Sequence, residues 1–593
     1  MARKRLAQDA PVLRKRSDRI TTDRITTNRH TARTGRSQEH EAAAQSASPT
    51  DRFTALVAAR RVDWRFLLAH PRLERVGYVG RVDLQLVRAA TLFSESLAIL
   101  EHRPPPACDL VVAVDPVEDD LAVAAEALRA AGGGQLYVEL TRRLARSHVD
   151  IAVRESLRWL RELGFAAIST HWQYPAFANR RAIVPLAERH AYAYALARRE
   201  SEPLQRLKAR VAAIAGPALP LMVSRSISIV AAMGTATGRT AAGAALSAAS
   251  EEPALARFRL GGGFSEILIT PITETSTAVL SVVVPRGSRR PALIAKQPRI
   301  RERSAALERE ATNLQALRAT WPAATFAAPE PLGLFGEEDA PILIQTALDG
   351  RGLEPAELRR SRRRAVDDVV RSLIDLGAES ASPAAAVSDW YEQTLRRPLE
   401  AHGSFAADLS ATRELVSRSI EVTEELRRAS IPLVFEHGDV AHSNVLRLRS
   451  GGVGFVDWEL AQPQGLPLQD LFFFIGYVAS ASAGARTTEE RLAAFDDVFL
   501  EPEGWASKAV TAYAHRLHLP PTSISPLFVA CWARYAAGFR RRLVGCDPGS
   551  SGPATTVSTE ASIEVLVRPW HALWRRALEI EDRLPWTENV ARR

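Results

Sequence analysis

The sequence predicts two domains of different class: an α/β domain with a doubly wound parallel sheet, followed by a two-lobed α+β domain. Three observations carry this expectation. The chain has 593 residues, more than one ordinary core serves. From about residue 51 to 235, short β-rich runs alternate with periodic Ala/Leu/Arg stretches, the strand–helix alternation of a parallel sheet. From about residue 255 the order changes: β-rich segments come first and helical ones run to the end.

The first 50 residues fit neither domain. They are polar and rich in Arg, Thr and Ser, with DRITT repeated directly at 18–22 and 23–27. Too few apolar residues are present to pack, so residues 1–50 are expected to be a disordered basic leader. They carry 11 Arg or Lys against 5 Asp or Glu, a good part of a net charge of only +9. No basic face is evident within a folded stretch, so no nucleic-acid partner is expected. The leader has basic residues but no apolar core, unlike a secretory signal. No uncharged apolar run reaches about 18 residues, so no membrane span is expected. Cys108, Cys531 and Cys546 show no CxxC pairing, which leaves neither a zinc site nor a disulfide framework and fits a cytoplasmic protein.

Within residues 51–235 the expected strands are RVGYVG (75–80), LAIL (97–100), DLVVAV (109–114), QLYVE (135–139) and AAIST (166–170). Gly132 and Leu163-Gly164-Phe165 stand just before the last two. This spacing resembles a class I S-adenosylmethionine (SAM)-dependent methyltransferase domain, a Rossmann-like fold. A working cofactor site needs a glycine-rich turn after the first strand, where backbone approaches the ligand. Here the turn offers one useful glycine, Gly80. Glu101 and Asp115 end the next strands, where acids hold ribose hydroxyls, and simple polar strand ends explain them equally. A degenerate, structural domain is preferred over SAM binding. Residues 236–254, rich in Gly, Ala, Ser and Thr, read as a linker.

The chemistry is concentrated in two later strings, FEHGDVAHSNVL at 435–446 and GFVDWE at 454–459. Phosphoryl transfer from ATP asks little covalent chemistry of a protein and much positioning. A carboxylate must take the acceptor hydroxyl's proton, and oxygen ligands must hold Mg²⁺ against the phosphates. Asp439 supplies the first. Asn444, five residues on, and Asp457, at the end of a strand, supply the second. Singly these residues read as loop capping and turn chemistry.

Together, His-x-Asp-x4-Asn followed by apolar-Asp-Trp-Glu resembles the aminoglycoside phosphotransferase and choline kinase family, a branch of the protein-kinase-like fold. Gly438 replaces the arginine that protein kinases carry between His and Asp. The resemblance implies an N-lobe at 255–350 and a helical C-lobe at 351–593. It implies a phosphate-covering loop, PITETST at 271–277, between strands at 266–270 and 279–284. That loop lacks glycine, but hydroxyls such as that of Ser276 can donate to phosphates. The resemblance places a phosphate-gripping lysine at Lys296, which ends PALIAK (291–296).

The chain has five lysines, and Lys296 is the only one between Lys208 and Lys508. A compact ammonium suits a point contact to phosphates. Glu310, on a helix expected over 304–318, is its implied partner. Glu308 is the rival, and the apolar stripe of Leu307, Ala311 and Leu314 favours Glu310. APILIQTALDG (340–350) reads as a buried strand turning at Gly350, and backbone near Thr346 and Leu348 would meet the adenine. Asp470 either braces the catalytic loop, as the family implies, or caps a helix.

The expected function is transfer of the ATP γ-phosphate to a hydroxyl of a small molecule: an aminoglycoside, a sugar or an amino alcohol. Two alternatives stay open. One is a bifunctional protein whose first domain also methylates, and the other a non-catalytic module that keeps the kinase shape.

Overall fold

The computed structural model describes residues 52–586 apart from 102, 142–148, 189, 190, 193, 196–225, 235–238, 259, 272, 274, 275, 289, 322–325, 338, 339, 385, 386, 405–408 and 545–556. The expected leader, residues 1–50, lies outside the described residues. Each of the five runs expected as strands in the N-terminal half is one: β1 (Leu73–Gly80), β2 (Ser94–Ile99), β3 (Leu110–Val114), β4 (Gly133–Thr141) and β5 (Ala166–Tyr174). The first four pair in the parallel order β2-β1-β3-β4, with helices α1 (Leu84–Phe93) after β1, α2 (Glu118–Ala130) after β3 and α3 (Val149–Glu162) after β4. All five residues of β3 are buried, as a strand covered on both faces requires. Helix α2 begins with Glu118, Asp119 and Asp120, which favour the partial positive charge of its N-terminus.

Two strands were not foreseen. β6 (Ala182–Pro185) and β7 (Ser226–Gly234) run antiparallel to their neighbours, and β7 lies between β4 and β5. Eight of the nine residues of β7 are buried. Its first half alternates Ser226-Ile227-Ser228-Ile229 as a half-exposed strand would, yet both serines are buried, so the pattern does not mark the strand as central.

Strands β8 (Phe264–Ile269), β9 (Ala278–Pro285), β10 (Leu293–Pro298), β11 (Pro331–Glu337) and β12 (Ala340–Thr346) are antiparallel, as an N-lobe requires. They do not form a separate sheet. β6 pairs with β8, Ala182 opposite Ile269 and Ile183 opposite Leu268, which joins both halves into one 12-stranded sheet. The expected linker is corrected too: α4 (Ala241–Ala248) occupies part of it, with Ala242 and Leu246 buried against Val283, Leu293 and Ile344. Its small residues give the helix the close fit that reads, in sequence, as flexibility. Gly350 is not a turn but opens a short strand, Gly350–Gly352, which pairs with Val445–Leu448.

Helix α5 (Ser304–Thr320) crosses behind the N-lobe strands. Beyond Gly352 the chain is mainly helical, with α6 (Pro355–Ser380), α7 (Leu409–Arg428), α8 (Gln469–Ala483), α9 (Ile524–Val544) and α10 (Val557–Ile580) among its helices. The largest apolar cluster of the described residues fills this lobe, with Phe472, Phe528, Trp532, Trp574 and Trp586 among its deeply buried rings.

Candidate active site

Lys296 sits near the end of β10, opposite Leu280 of β9 and Leu343 of β12, so its side chain leaves a strand held on both edges. Its Nζ donates to both carboxylate oxygens of Glu310, at 2.6 and 2.7 Å, and to Oδ1 of Asp457 at 3.1 Å. Glu310 is fully buried on the inner face of α5, whereas Glu308 is exposed, which decides between the two. Burial disfavours the ammonium, but Glu310 and then Asp457 outweigh it and raise the Lys296 pKa. Burial also pushes the Glu310 carboxyl up, against the pull of Lys296. The loss of water around Asp457 opposes its charge as well, yet Lys296 holds that carboxyl below its usual range.

Asp439 and Asn444 share one loop after the strand Pro432–Glu436. Asn444 Nδ2 donates to the carbonyl of Asp439 at 3.0 Å and to its Oδ2 at 3.1 Å. The carbonyl of Asn444 accepts from Val456 N at 3.0 Å, so this loop lies directly against the chain entering Asp457. Asp457 has φ 73°, a left-handed conformation that costs an aspartate of order 1–3 kcal/mol and collects at functional positions. Its side chain is 43% exposed, so the carboxylate keeps an open face while touching Lys296.

The loop is braced from beneath. Asp470, in the first turn of α8, accepts from the backbone N–H of His437 at 2.6 Å and of Gly438 at 2.8 Å. The N-cap position itself belongs to Leu468, so of the two readings of Asp470 the geometry is that of a loop brace. His437 lies between Val456 O, 3.1 Å from Nε2, and Asp439 N, which donates to Nδ1 at 3.3 Å. That pattern assigns the proton to Nε2. Burial pushes His437 down to about 4, which keeps it neutral. Burial pushes Asp439 up to about 6; Arg542 opposes this, Asp457 adds to it, and the Asn444 hydrogen bond again lowers it.

The remaining expected residues are placed less simply. The hydroxyl of Ser276 meets that of Thr273 at 2.9 Å, and its carbonyl accepts from Arg299. The neighbouring residues 272, 274 and 275 of that loop lie outside the described residues. At Thr346 the N–H donates to Glu330 O at 3.0 Å and the hydroxyl accepts from Glu330 N at 2.8 Å. Its backbone donor is spent within the sheet. Ala347 N–H likewise donates to Ala292 O, and Leu348 follows it before Gly350–Gly352.

Asn444 and Asp457 offer hard oxygen donors on adjoining backbone, the donor type Mg²⁺ takes. Among the described residues no three His, Cys, Asp or Glu side chains converge as a protein-only metal cage. The set therefore fits an ion whose remaining ligands come from phosphates and water.

Residues 272–509 match the phosphotransferase enzyme family. The match takes in the Lys296, Glu310, Asp439, Asn444 and Asp457 constellation, and the kinase-like arrangement of a β lobe over a helical lobe accords with it. No curated protein matches the chain in sequence. Among solved structures, an ethanolamine kinase of Plasmodium vivax is 12% identical, covers 56% of this chain and 88% of its own, and gives a TM-score of 0.35. An aminoglycoside phosphotransferase solved with ADP and hygromycin B is 13% identical, with coverage of 55% and 98% and a TM-score of 0.35. A choline kinase of Streptococcus pneumoniae is 10% identical, with coverage of 51% and 92% and a TM-score of 0.32.

The phosphotransferase region holds functional candidates that sequence reading passed over. Thr277 Oγ1 donates to Glu459 Oε2 at 2.9 Å, tying the end of the 271–277 loop to the strand end that carries Asp457. Glu459 is pushed up to about 7 by burial and by Asp457 and Glu310. Arg542, in the last turn of α9, lies 5.3 Å from the ring centroid of Tyr535 and 5.6 Å from that of Phe539. Its charge reaches both Asp439 and Asp457. Glu459 closes the quoted motif and could have been found there. Nothing singles out Arg542 in a chain where arginine is so common.

Proposed function

We propose that this protein is a small-molecule kinase that transfers the γ-phosphate of ATP to an acceptor hydroxyl. The observation that carries the reading is the triple contact of Lys296 with Glu310 and Asp457, beside a loop on which Asn444 orients Asp439. Lys296, kept charged by two carboxylates, grips the phosphates. Asn444 and Asp457 would hold Mg²⁺, which when bound would offset phosphate charge. Asp439 accepts the hydroxyl proton as the acceptor oxygen attacks. Its pKa of about 6 leaves it ionised at neutral pH yet basic enough to take that proton. Leu348 offers its backbone to the adenine, Ser276 and its loop cover the phosphates, and Arg542 supplies positive charge on the acceptor side.

The acceptor class remains that of aminoglycosides, sugars and amino alcohols. A polycationic acceptor would need free acids near the site, and two acids of the helical lobe, Asp496 and Glu490, are already engaged. Asp496 pairs with Arg576 at 2.8 Å, and Glu490 caps its helix.

In this reading residues 51–235 form a degenerate Rossmann-like domain, 255–350 the N-lobe and 351–593 the C-lobe. The strand ends where SAM would bind are occupied by the protein's own groups. Gly80 approaches the carbonyl of Val114, which an added Cβ would meet at 2.4 Å. Asp115 accepts from Thr141 N and from Arg81 Nε, and Arg61 bridges Asp83 and Glu139. These contacts favour a structural role over methylation. Dependence on ATP argues for the cytoplasm, and no helix among the described residues is long and apolar enough to cross a membrane.

The test is ADP release with a panel of hydroxylated acceptors. Asp439→Asn should lower kcat by about 10²–10⁴-fold, the range for loss of a general base. Full activity in that variant rules out the assigned base, and ATP turnover with no acceptor dependence rules out the kinase reading.

A further inference from the structure

The segment Arg60–Leu67 is a short 3-10 stretch in the N-terminal half, yet three of its charged side chains end in the phosphotransferase region. Asp63 is the central one. Its Oδ1 accepts from Arg299 Nε at 3.0 Å and its Oδ2 from Arg299 Nη2 at 2.9 Å, a bidentate pair between residues 236 apart in sequence. Asp63 is 1% exposed and Arg299 0%.

Arg299 follows β10, three residues after Lys296. Its other donors go to the loop between β8 and β9: Nη1 to Ser276 O and Nη2 to Pro271 O, both at 2.9 Å. Its backbone N–H donates to Thr277 O at 2.8 Å. One guanidinium thus holds both ends of that loop. Arg60 donates to Thr273 O in the same loop, and Arg65 donates to the carbonyl of Arg299.

A buried guanidinium needs a counter-charge, because an unpaired one is strongly disfavoured in a protein core. Among the described residues Asp63 is the only carboxylate that forms a salt bridge with Arg299. Among the described residues, therefore, the phosphotransferase region supplies no carboxylate to its own loop anchor. The N-terminal half does.

We propose that Asp63 is a positioning residue for nucleotide binding: through Arg299 it fixes Pro271, Ser276 and Thr277 at the two ends of the loop between β8 and β9, and the N-terminal half thereby sets the affinity for ATP. The proposal rests on the kinase reading. It makes the first domain a built-in part of the nucleotide site rather than a separate catalytic unit.

The experiment titrates the full-length protein with ATP and Mg²⁺ by calorimetry, at a temperature where thermal unfolding shows every variant folded. Wild type is compared with Asp63→Asn and with Asp83→Asn. The latter loses an ion pair to Arg61 in the same half but touches nothing in the loop. Asp63→Asn should weaken ATP binding by about tenfold, the cost of ordering roughly one freed residue. The KM for the acceptor should stay unchanged, and so should ATP binding by Asp83→Asn.

Equal ATP affinity in wild type and Asp63→Asn overturns the clamp and leaves the kinase reading intact. Equal losses in the two variants also overturn it, since general loosening then explains the effect. Absence of ATP binding by wild type overturns the kinase reading itself, and the clamp with it. If Asp63→Asn does not fold, Arg299→Lys replaces it. That variant keeps a buried charge beside Asp63 but cannot span the carboxylate and two carbonyls, so the same tenfold loss is expected.

Discussion

Asn444 Nδ2 lies 3.1 Å from Oδ2 of Asp439, so the residue proposed to hold the metal also orients the proposed base. The two roles are separable by pH. Asp439 must be ionised to accept a proton, and burial has raised its pKa to about 6. The rate should therefore be flat above about pH 7 and fall tenfold per unit below about pH 6. Removing the Asn444 hydrogen bond takes away a contact that favours the ionised form. In Asn444→Ala the acid limb should move to higher pH, together with a raised Mg²⁺ requirement. A pH–rate profile of kcat/KM at saturating and limiting Mg²⁺ checks both.

Lys296→Met should leave Glu310 and Asp457 without their shared cation. Breaking a buried pair by removing one partner costs about 3–5 kcal/mol, and here the raised pKa of Glu310 lets it protonate and recover part of that. The expected result is a folded protein of lower melting temperature whose KM for ATP rises more than its KM for the acceptor. Lys296→Arg should be nearly as damaging, because a planar fork does not fit the point contacts an ammonium makes. Steady-state kinetics with calorimetric melting separates the two effects.

Gly438 has φ 82°, and a Cβ there would stand 2.6 Å from the carbonyl of Leu460. Gly438→Ala therefore meets both a left-handed backbone and a steric clash. The loop must shift, and Asp439 moves with it. A loss of about 10²-fold in kcat is expected from a displacement near 1 Å, with nucleotide affinity largely kept.

A fragment of residues 255–593 should not behave as an independent domain. It would expose the β8 edge that β6 covers and leave Arg299 without Asp63. Open sheet edges pair with other chains, so the fragment should aggregate. Expression with light scattering checks this. A soluble, monomeric fragment that binds ATP as the whole chain does would contradict both this expectation and the clamp.

The legibility of the site followed sequence distance. Asp439 and Asn444 lie five residues apart on one loop, and Asp470 takes up the loop's own N–H groups. Local spacing was enough to bring them out. Lys296 and Glu310 were paired through the family resemblance, and the apolar stripe of α5 only chose Glu310 over Glu308. The pairing of Thr346 with Glu330 was not legible, because no local pattern marks a contact between those two segments.

The sequence alone determined the chemistry: which side chains carry charge, and which short loops and strand ends present them. It also determined five strands of the N-terminal half and the helix that carries Glu310, since burial of apolar faces shows there as periodicity. Only the tertiary structure decided that β6 meets β8, that the apparent linker is a buried helix, and that Asp63 neutralises Arg299. These are contacts between distant segments. Apolar patterning says that a strand is buried but not beside which edge, and a charged residue does not reveal its partner until folding has removed both from water.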